Sequence, residues 1–372
     1  MYREDQLIAA ARRENNSKRT YLAVNRKQGK HVPVSPTEAF LLYRALADEI
    51  RDKYEGQRLL IIGFAETATA IGASLAVEMD SFYMQTTREN AGDVKYLYFS
   101  ESHSHATEQK LVRDDLDRVI ERIDRIIFAE DELTTGSTIL SAIDVIERAY
   151  ADTNKELSFS AVSILNGMDE SALGRYEQRN IGLHFMIKSD HGRYLRAAER
   201  YRGDGSYYEA MLAEPRCFVK EWSVSGLVNA RRLVKACDYR KQCDALAKRV
   251  LEEIGVCVGQ RVLVLGTEEF MYPALYLGKI LEEKGNYVKS HSTTRSPIVV
   301  SREPEYPLHR RYQLVSLYDS ERVTFIYDLE KYDKVIVMTD AGRITEAGRR
   351  SLVNALNHSG NEEIYLVRWS EE

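Results

Sequence analysis

Unbroken apolar runs alternate along this chain with stretches whose apolar residues recur every three or four positions. LLIIG ending at Gly63, IIFA from Ile126, VLVLG ending at Gly266 and VIVM from Val335 are continuous runs of strand length. A run without polar alternation marks a strand covered on both faces, which is the signature of a parallel sheet between helix layers. The stretches ALADEIRDKY (45–54) and ALAKRVLEEI (245–254) carry the helical period with one apolar face. Together they predict an α/β fold. Ligands of such sheets sit outside the carboxyl ends of the strands, so chemistry is sought in the loops after Ile62, Ala129, Leu265 and Met338.

The same elements occur twice. Gly56-Gln57-Arg58 and its apolar run return as Gly259-Gln260-Arg261 and theirs; Thr86-Thr87-Arg88 returns as Thr293-Thr294-Arg295; the stretch from Asp124 through RIIFAED returns from Asp333 as KVIVMTD. Repetition in fixed order reads as duplication of one unit: two tandem parallel-sheet domains, the second a diverged copy of the first. The expected division is a charged N-terminal segment at 1–20, a first domain at 21–190, a polar Tyr- and Arg-rich connection at 191–240 marked by the turn signal Gly203-Asp204-Gly205, and a second domain at 241–372.

Charge and cysteine usage narrow the partners. With 52 Lys+Arg against 57 Asp+Glu the net charge is −5, which removes the bulk attraction used for nonspecific nucleic-acid binding. No apolar run approaches the ~20 residues that span a bilayer, and Met-Tyr-Arg-Glu-Asp is unlike a signal segment. A cytoplasmic protein acting on small molecules, with neither nucleic acid nor membrane as partner, is expected. Cys217, Cys237, Cys243 and Cys257 form no C-x-x-C pair and read as reduced thiols.

The richest chemistry lies between Ile126 and Ser141: an apolar strand, the acids Glu130 and Asp131, then Thr134, Thr135, Gly136, Ser137 and Thr138, then a helix. Gly136 permits a tight turn, amides at the helix start face an anion, and the hydroxyls add donors, so the turn suits a phosphate. The acid pair before it is placed to accept hydrogen bonds from vicinal sugar hydroxyls. A phosphorylated pentose is the ligand this describes. The bland alternative, hydroxyls that only cap the helix, leaves the acid pair unexplained.

Glu130 to Thr138, EDELTTGST, resembles the phosphoribosyl-pyrophosphate (PRPP) motif of type I phosphoribosyltransferases. The whole chain, from about residue 20 to residue 368, resembles the family that pairs such a domain with a C-terminal domain named for its Thr-Arg-Ser-Pro sequence and is found with tellurium-resistance-type gene clusters. Thr294-Arg295-Ser296-Pro297 is that signature, accompanied by Gly29-Lys30-His31, Thr86 to Glu89, Ser102 to Ala106 and Gly266 to Tyr272. The resemblance implies a type I phosphoribosyltransferase fold and a Mg²⁺-dependent transfer of phosphoribose between pyrophosphate and a nitrogenous or nucleobase-like acceptor, in synthesis of a nucleoside-like metabolite. It implies ribose and 5′-phosphate contacts from Glu130, Asp131 and 134–138, and a pyrophosphate loop of Ala65, Glu66, Thr67 and Ala68, in which Glu66 is an acid that either holds a cation or faces away. Lys30, His31, Arg88, His103 and His105 become contacts to pyrophosphate or acceptor. Mg²⁺ is held mainly by PRPP, with Glu130 and Asp131 as its protein ligands. The stretch from Phe99 to Lys110 takes the place of a closing loop that excludes water; its two histidines also allow a solvated loop or a metal pair.

Thr134 stands where purine-salvage members generally have Asp, so the orotate-type pattern is nearer and a purine acceptor is less favoured. Glu132 departs from a pattern that is often apolar there. In the second copy Asp340 aligns with Asp131, Thr339 replaces Glu130 and Ala341-Gly342-Arg343 replaces hydroxyl residues, so PRPP binding of the same kind is not expected. Glu268, Glu269 and Arg295 there either recognise an acceptor or serve as scaffold. The rival to an enzyme is a non-catalytic PRPP or nucleotide sensor. Acceptor identity, direction of reaction and oligomeric state, including a homo-oligomer, stay open.

Overall fold

The computed structural model of the chain describes residues 2–14, 16, 19–99, 109–153, 155–215, 217–255 and 258–371. Two compact units emerge. One comprises Met1–Tyr2, Leu41–His191 and Val228–Arg240; the other Arg3–Phe40, Gly192–Leu227 and Lys241–Glu372. These differ from the divisions read along the sequence. Residues 3–40 contribute the antiparallel pair Ile8–Arg12 and Tyr21–Asn25 to the second unit. The 191–240 stretch is no simple connection: it supplies Ser206–Tyr208 and Phe218–Ser225 to sheets of the second unit and Val234–Lys235 to the first.

In the first unit the sheet runs Val234–Lys235, Phe82–Gln85, Leu59–Gly63, Arg125–Leu133, Ser158–Asn166, Gly182–Lys188, and only the two-residue edge strand is antiparallel. Leu60, Ile61, Ile62, Ile126, Ile127 and Phe128 are fully buried, as continuous apolar runs demand. The central strand does not end at Ala129. It continues to Leu133 because Glu130, Glu132 and Leu133 keep pairing with Ser163, Leu165 and Asn166 of its equally long neighbour. The acids therefore stand on a strand, and the loop starts at Thr134.

The second unit repeats the arrangement. Its parallel sheet runs Tyr287–Ser292, Arg261–Gly266, Lys334–Thr339, Glu363–Ser370, Phe218–Ser225. Its first four strands correspond in order to Phe82–Gln85, Leu59–Gly63, Arg125–Leu133 and Ser158–Asn166 of the first unit, but its fifth precedes the others in sequence, whereas Gly182–Lys188 of the first unit follows them. The repeated Thr-Thr-Arg has a structural reason. Thr86 Oγ1 accepts from Ala65 N at 2.8 Å, and Thr293 Oγ1 accepts from Glu268 N at 3.0 Å. The next threonine exchanges backbone bonds with a hairpin strand, Thr87 with Lys110 and Thr294 with Phe325. At the opposite strand ends, Asp124 and Asp333 each accept from the backbone of an arginine, Arg58 and Arg261. Among the described residues no helix is long and apolar enough to cross a membrane.

Candidate active site

The site in the first unit is assembled at the carboxyl ends of its strands. Glu130 and Asp131 are half-buried on the central strand. Burial and then the Glu130 charge push the Tyr176 phenol up; burial and then the Asp131 charge do the same to Tyr43. The two acids thus sit beside different neutral phenols. After Leu133 the chain turns through Gly136, whose φ of +65° is left-handed, into the helix Ser137–Ala149. A Cβ there would lie 2.2 Å from Met168 Cε and 2.5 Å from Tyr176 Oη, so only glycine fits. Tyr176 donates to Gly136 O at 2.8 Å and Arg175 to Thr135 O at 3.2 Å. The Thr135 and Ser137 hydroxyls are 2.5 Å apart. Thr134, Thr135, Ser137 and Thr138 are half-buried around this helix start, which combines a positive dipole end with hydroxyl donors.

One strand over, Leu59–Gly63 leads into the loop 64–68. Ala65 donates to Thr86, Gln109 Nε2 donates to Ala65 O at 2.5 Å, and Thr86 donates to Gln109 Oε1 at 2.8 Å. The Ala65–Glu66 peptide is cis. Gln109, fully buried, is the positioning residue that sequence reading missed; a lone glutamine beyond a polar stretch carries no signal of its own. Ala65, Glu66 and Ala68 are buried and Thr67 is half-buried. Arg88 follows the Thr-Thr pair in the same unit and is half-buried.

Lys30 and His31 belong to the second unit and are buried; the Lys30 ammonium donates to Glu268 O at 2.7 Å and Thr293 O at 2.9 Å. His103 and His105 lie outside the described residues.

In the second unit the corresponding positions satisfy one another. Arg295 Nε donates to Glu268 Oε2 at 2.7 Å, Arg322 Nη1 to the same oxygen at 2.9 Å, and Ser316 to Oε1 at 2.5 Å. Glu269 Oε1 is 3.9 Å from Arg295. The helix start is likewise occupied: Thr345 caps it by accepting from Gly348 N and donates to Ser316 O at 2.6 Å. Asp340 accepts from Tyr318 at 2.7 Å.

Among the described residues no three His, Cys, Asp or Glu side chains converge as a metal cage. A hard cation at Glu130 and Asp131 would therefore draw most of its oxygens from a bound phosphate ester, the habit of Mg²⁺, and the half-buried acid pair fits that role.

A phosphoribosyl transferase family pattern matches residues 7–190, and the TRSP domain that lies C-terminal to that transferase matches 232–356. No curated protein matches the chain at significant similarity. Among solved structures, adenine phosphoribosyltransferase from Trypanosoma brucei is 15% identical, covering 50% of this chain and 77% of that one with a TM-score of 0.36. APRTase from Giardia lamblia is 15% identical over 50% of this chain and 97% of that one, with a TM-score of 0.36. Orotate phosphoribosyltransferase from Aeropyrum pernix is 13% identical over 44% and 77%, with a TM-score of 0.28. With both patterns matched in order across most of its length, the chain belongs to the phosphoribosyl transferase family whose members carry a C-terminal TRSP domain.

Proposed function

We propose that the first unit is a Mg²⁺-dependent phosphoribosyltransferase that joins the ribose of PRPP to a nitrogenous acceptor, or runs the reverse. The observation that carries the reading is the succession on one central strand of Glu130, Asp131 and a Gly136-hinged helix start. The carboxylates accept the ribose 2′- and 3′-hydroxyls; the amides and hydroxyls of 134–138 hold the 5′-phosphate. The 64–68 loop, clamped by Thr86 and Gln109, faces pyrophosphate. Mg²⁺ would neutralise the departing pyrophosphate, held by it and by the acid pair.

The internal duplication supports a role for Arg88. Its counterpart Arg295 holds a carboxylate, that of Glu268, and Arg88 follows the same Thr-Thr pair in the first unit. In this reading Arg88 stabilises the pyrophosphate as it leaves. Glu268, Glu269 and Arg295 are then scaffold more than acceptor site.

PRPP with Mg²⁺ is expected to raise the melting temperature by mass action, and Glu130→Ala with Asp131→Ala to remove most of that rise without altering the unliganded melting temperature. An equal rise in the double variant would overturn the site. Incubation with PRPP, Mg²⁺ and a metabolite extract, read by mass for added phosphoribose, tests transfer itself; binding without any product would support a sensor.

A further inference from the structure

The turn at 134–138 is gripped from one side by a neighbouring helix. That helix, Glu170–Gln178, is capped where Asp169 accepts from Ala172 N at 2.8 Å, and two adjacent residues on it each hold one carbonyl of the turn. Arg175 Nη2 donates to Thr135 O at 3.2 Å and Tyr176 Oη to Gly136 O at 2.8 Å. Leu140 N already donates to Gly136 O at 3.1 Å, so the phenol is not required to satisfy that carbonyl. Tyr176 is 1% exposed, and its ring lies where a Cβ on Gly136 would collide with it.

The effect of the two bonds follows from peptide geometry. Both peptides of the turn are trans, and in a planar trans peptide the C=O of one residue and the N–H of the next point in opposite directions. Holding the Thr135 carbonyl against Arg175 therefore turns the Gly136 amide away from the helix, and holding the Gly136 carbonyl against Tyr176 does the same for the Ser137 amide. The Gly136 amide has no acceptor among the described residues, and the Ser137 amide makes a long contact of 3.4 Å to Thr135 Oγ1. Successive amides turned to one side form a concavity for an anion.

Charge adds a second observation. Arg179, four residues on, is neutralised by Asp144 and Glu147, each at 2.6 Å. Arg175 is exposed and has no carboxylate partner among the described residues. Its positive charge stays available to an anion in the turn.

We propose that Arg175 and Tyr176 are positioning residues that aim the Gly136 and Ser137 amides at a phosphate monoester, a role that rests on the transferase reading and deepens it. The donor is then selected for its 5′-phosphate by the direction of two amides and by one uncompensated guanidinium. Both residues act on binding of the donor and take no part in the bond that breaks.

The test is calorimetric titration of the full chain with PRPP and Mg²⁺ at low and high salt, and with pyrophosphate and Mg²⁺ as a probe that lacks the ribose phosphate. Tyr176→Phe keeps the ring against Gly136 and is expected to raise the PRPP dissociation constant about tenfold at either salt concentration. Arg175→Ala should raise it about as much at low salt and less at high salt, where the lost charge is already screened. Arg175→Lys, which keeps the charge, should restore most of the low-salt affinity. Pyrophosphate affinity is expected to stay at the wild-type value in all three. Arg175 is exposed, so its variants decide the matter should Tyr176→Phe lower the unliganded melting temperature. Wild-type PRPP affinity in Arg175→Ala, a deficit indifferent to salt, or an equal loss of pyrophosphate affinity would overturn the clamp while leaving the transferase reading intact. A wild-type chain that binds no PRPP would overturn both.

Discussion

At the scale of single residues, the decisive contrast is between two related positions that carry Ala65 and Glu268. The Glu268 carboxylate, 2% exposed, is held by two guanidinium groups and a hydroxyl. Removing one partner of a buried pair is costly because the other charge stays desolvated. Arg295→Ala is therefore expected to lower stability by about 3 kcal/mol in denaturant unfolding, with PRPP protection unchanged; a variant of wild-type stability would return Arg295 to a recognition role. The buried histidines add a pH dependence. Burial pushes His291 down to about 4 from 6.5, against the Tyr327 carbonyl that accepts from its ring. His184 is pushed down to about 4 by burial, then by Lys53 and Arg125. A folded-state value below the unfolded one means stability fully present above pH 6.5 and lost as pH falls toward 4. For the fully buried His291 the loss is on the order of 3 kcal/mol; His184, reached by solvent, contributes less. Unfolding free energy measured between pH 7 and 4 should fall less steeply in His291→Asn, and an unchanged slope would assign the acid sensitivity elsewhere.

At the scale of elements, the strand–turn–helix of residues 125–149 depends on one backbone conformation. Gly136→Ala would place a methyl group against Met168 and Tyr176 in a left-handed turn. A cost of about 1–3 kcal/mol is expected from the backbone conformation and overpacking, together with loss of the PRPP-induced rise in melting temperature, both read in one thermal titration. The 64–68 loop has a softer dependence. Thr86→Val deletes the acceptor for Ala65 N and the donor to Gln109, and should weaken PRPP binding with little change in the sheet, which calorimetric titration of PRPP would register.

At the scale of the molecule, chain order and spatial grouping diverge. The family pattern at 7–190 includes residues 3–40 only in part, and these pack in the second unit, where Ala11, Leu22 and Val24 share a core with Ile298, Val300, Tyr306 and Phe325. Conversely, Asp115 of the first unit, 3% exposed, takes two hydrogen bonds from Arg232 and one from Leu233 N. A fragment ending at residue 190 would strip Leu22 and Val24 of their core and leave Asp115 without its main partner. Such a fragment is expected to aggregate or to unfold at lower denaturant than the full chain, and a soluble fragment of undiminished stability would contradict the assignment of 3–40 and 228–240.

The sequence by itself determined the α/β class, the duplication and the strand–acid–glycine–helix turn, because each rests on residues close along the chain: apolar runs, a repeated tripeptide, a glycine among hydroxyl residues between strand and helix. Only the tertiary structure decided which unit holds Lys30 and His31, that Glu130 to Glu132 remain on the strand, that Gln109 clamps the first loop, and that Arg295 is engaged by Glu268. These depend on partners far apart in sequence, such as Lys30 with Glu268 or Gln109 with Ala65, and on a neighbouring strand long enough to extend pairing. Local spacing carries no record of such contacts, since burial and sheet order choose the partner of a charged side chain.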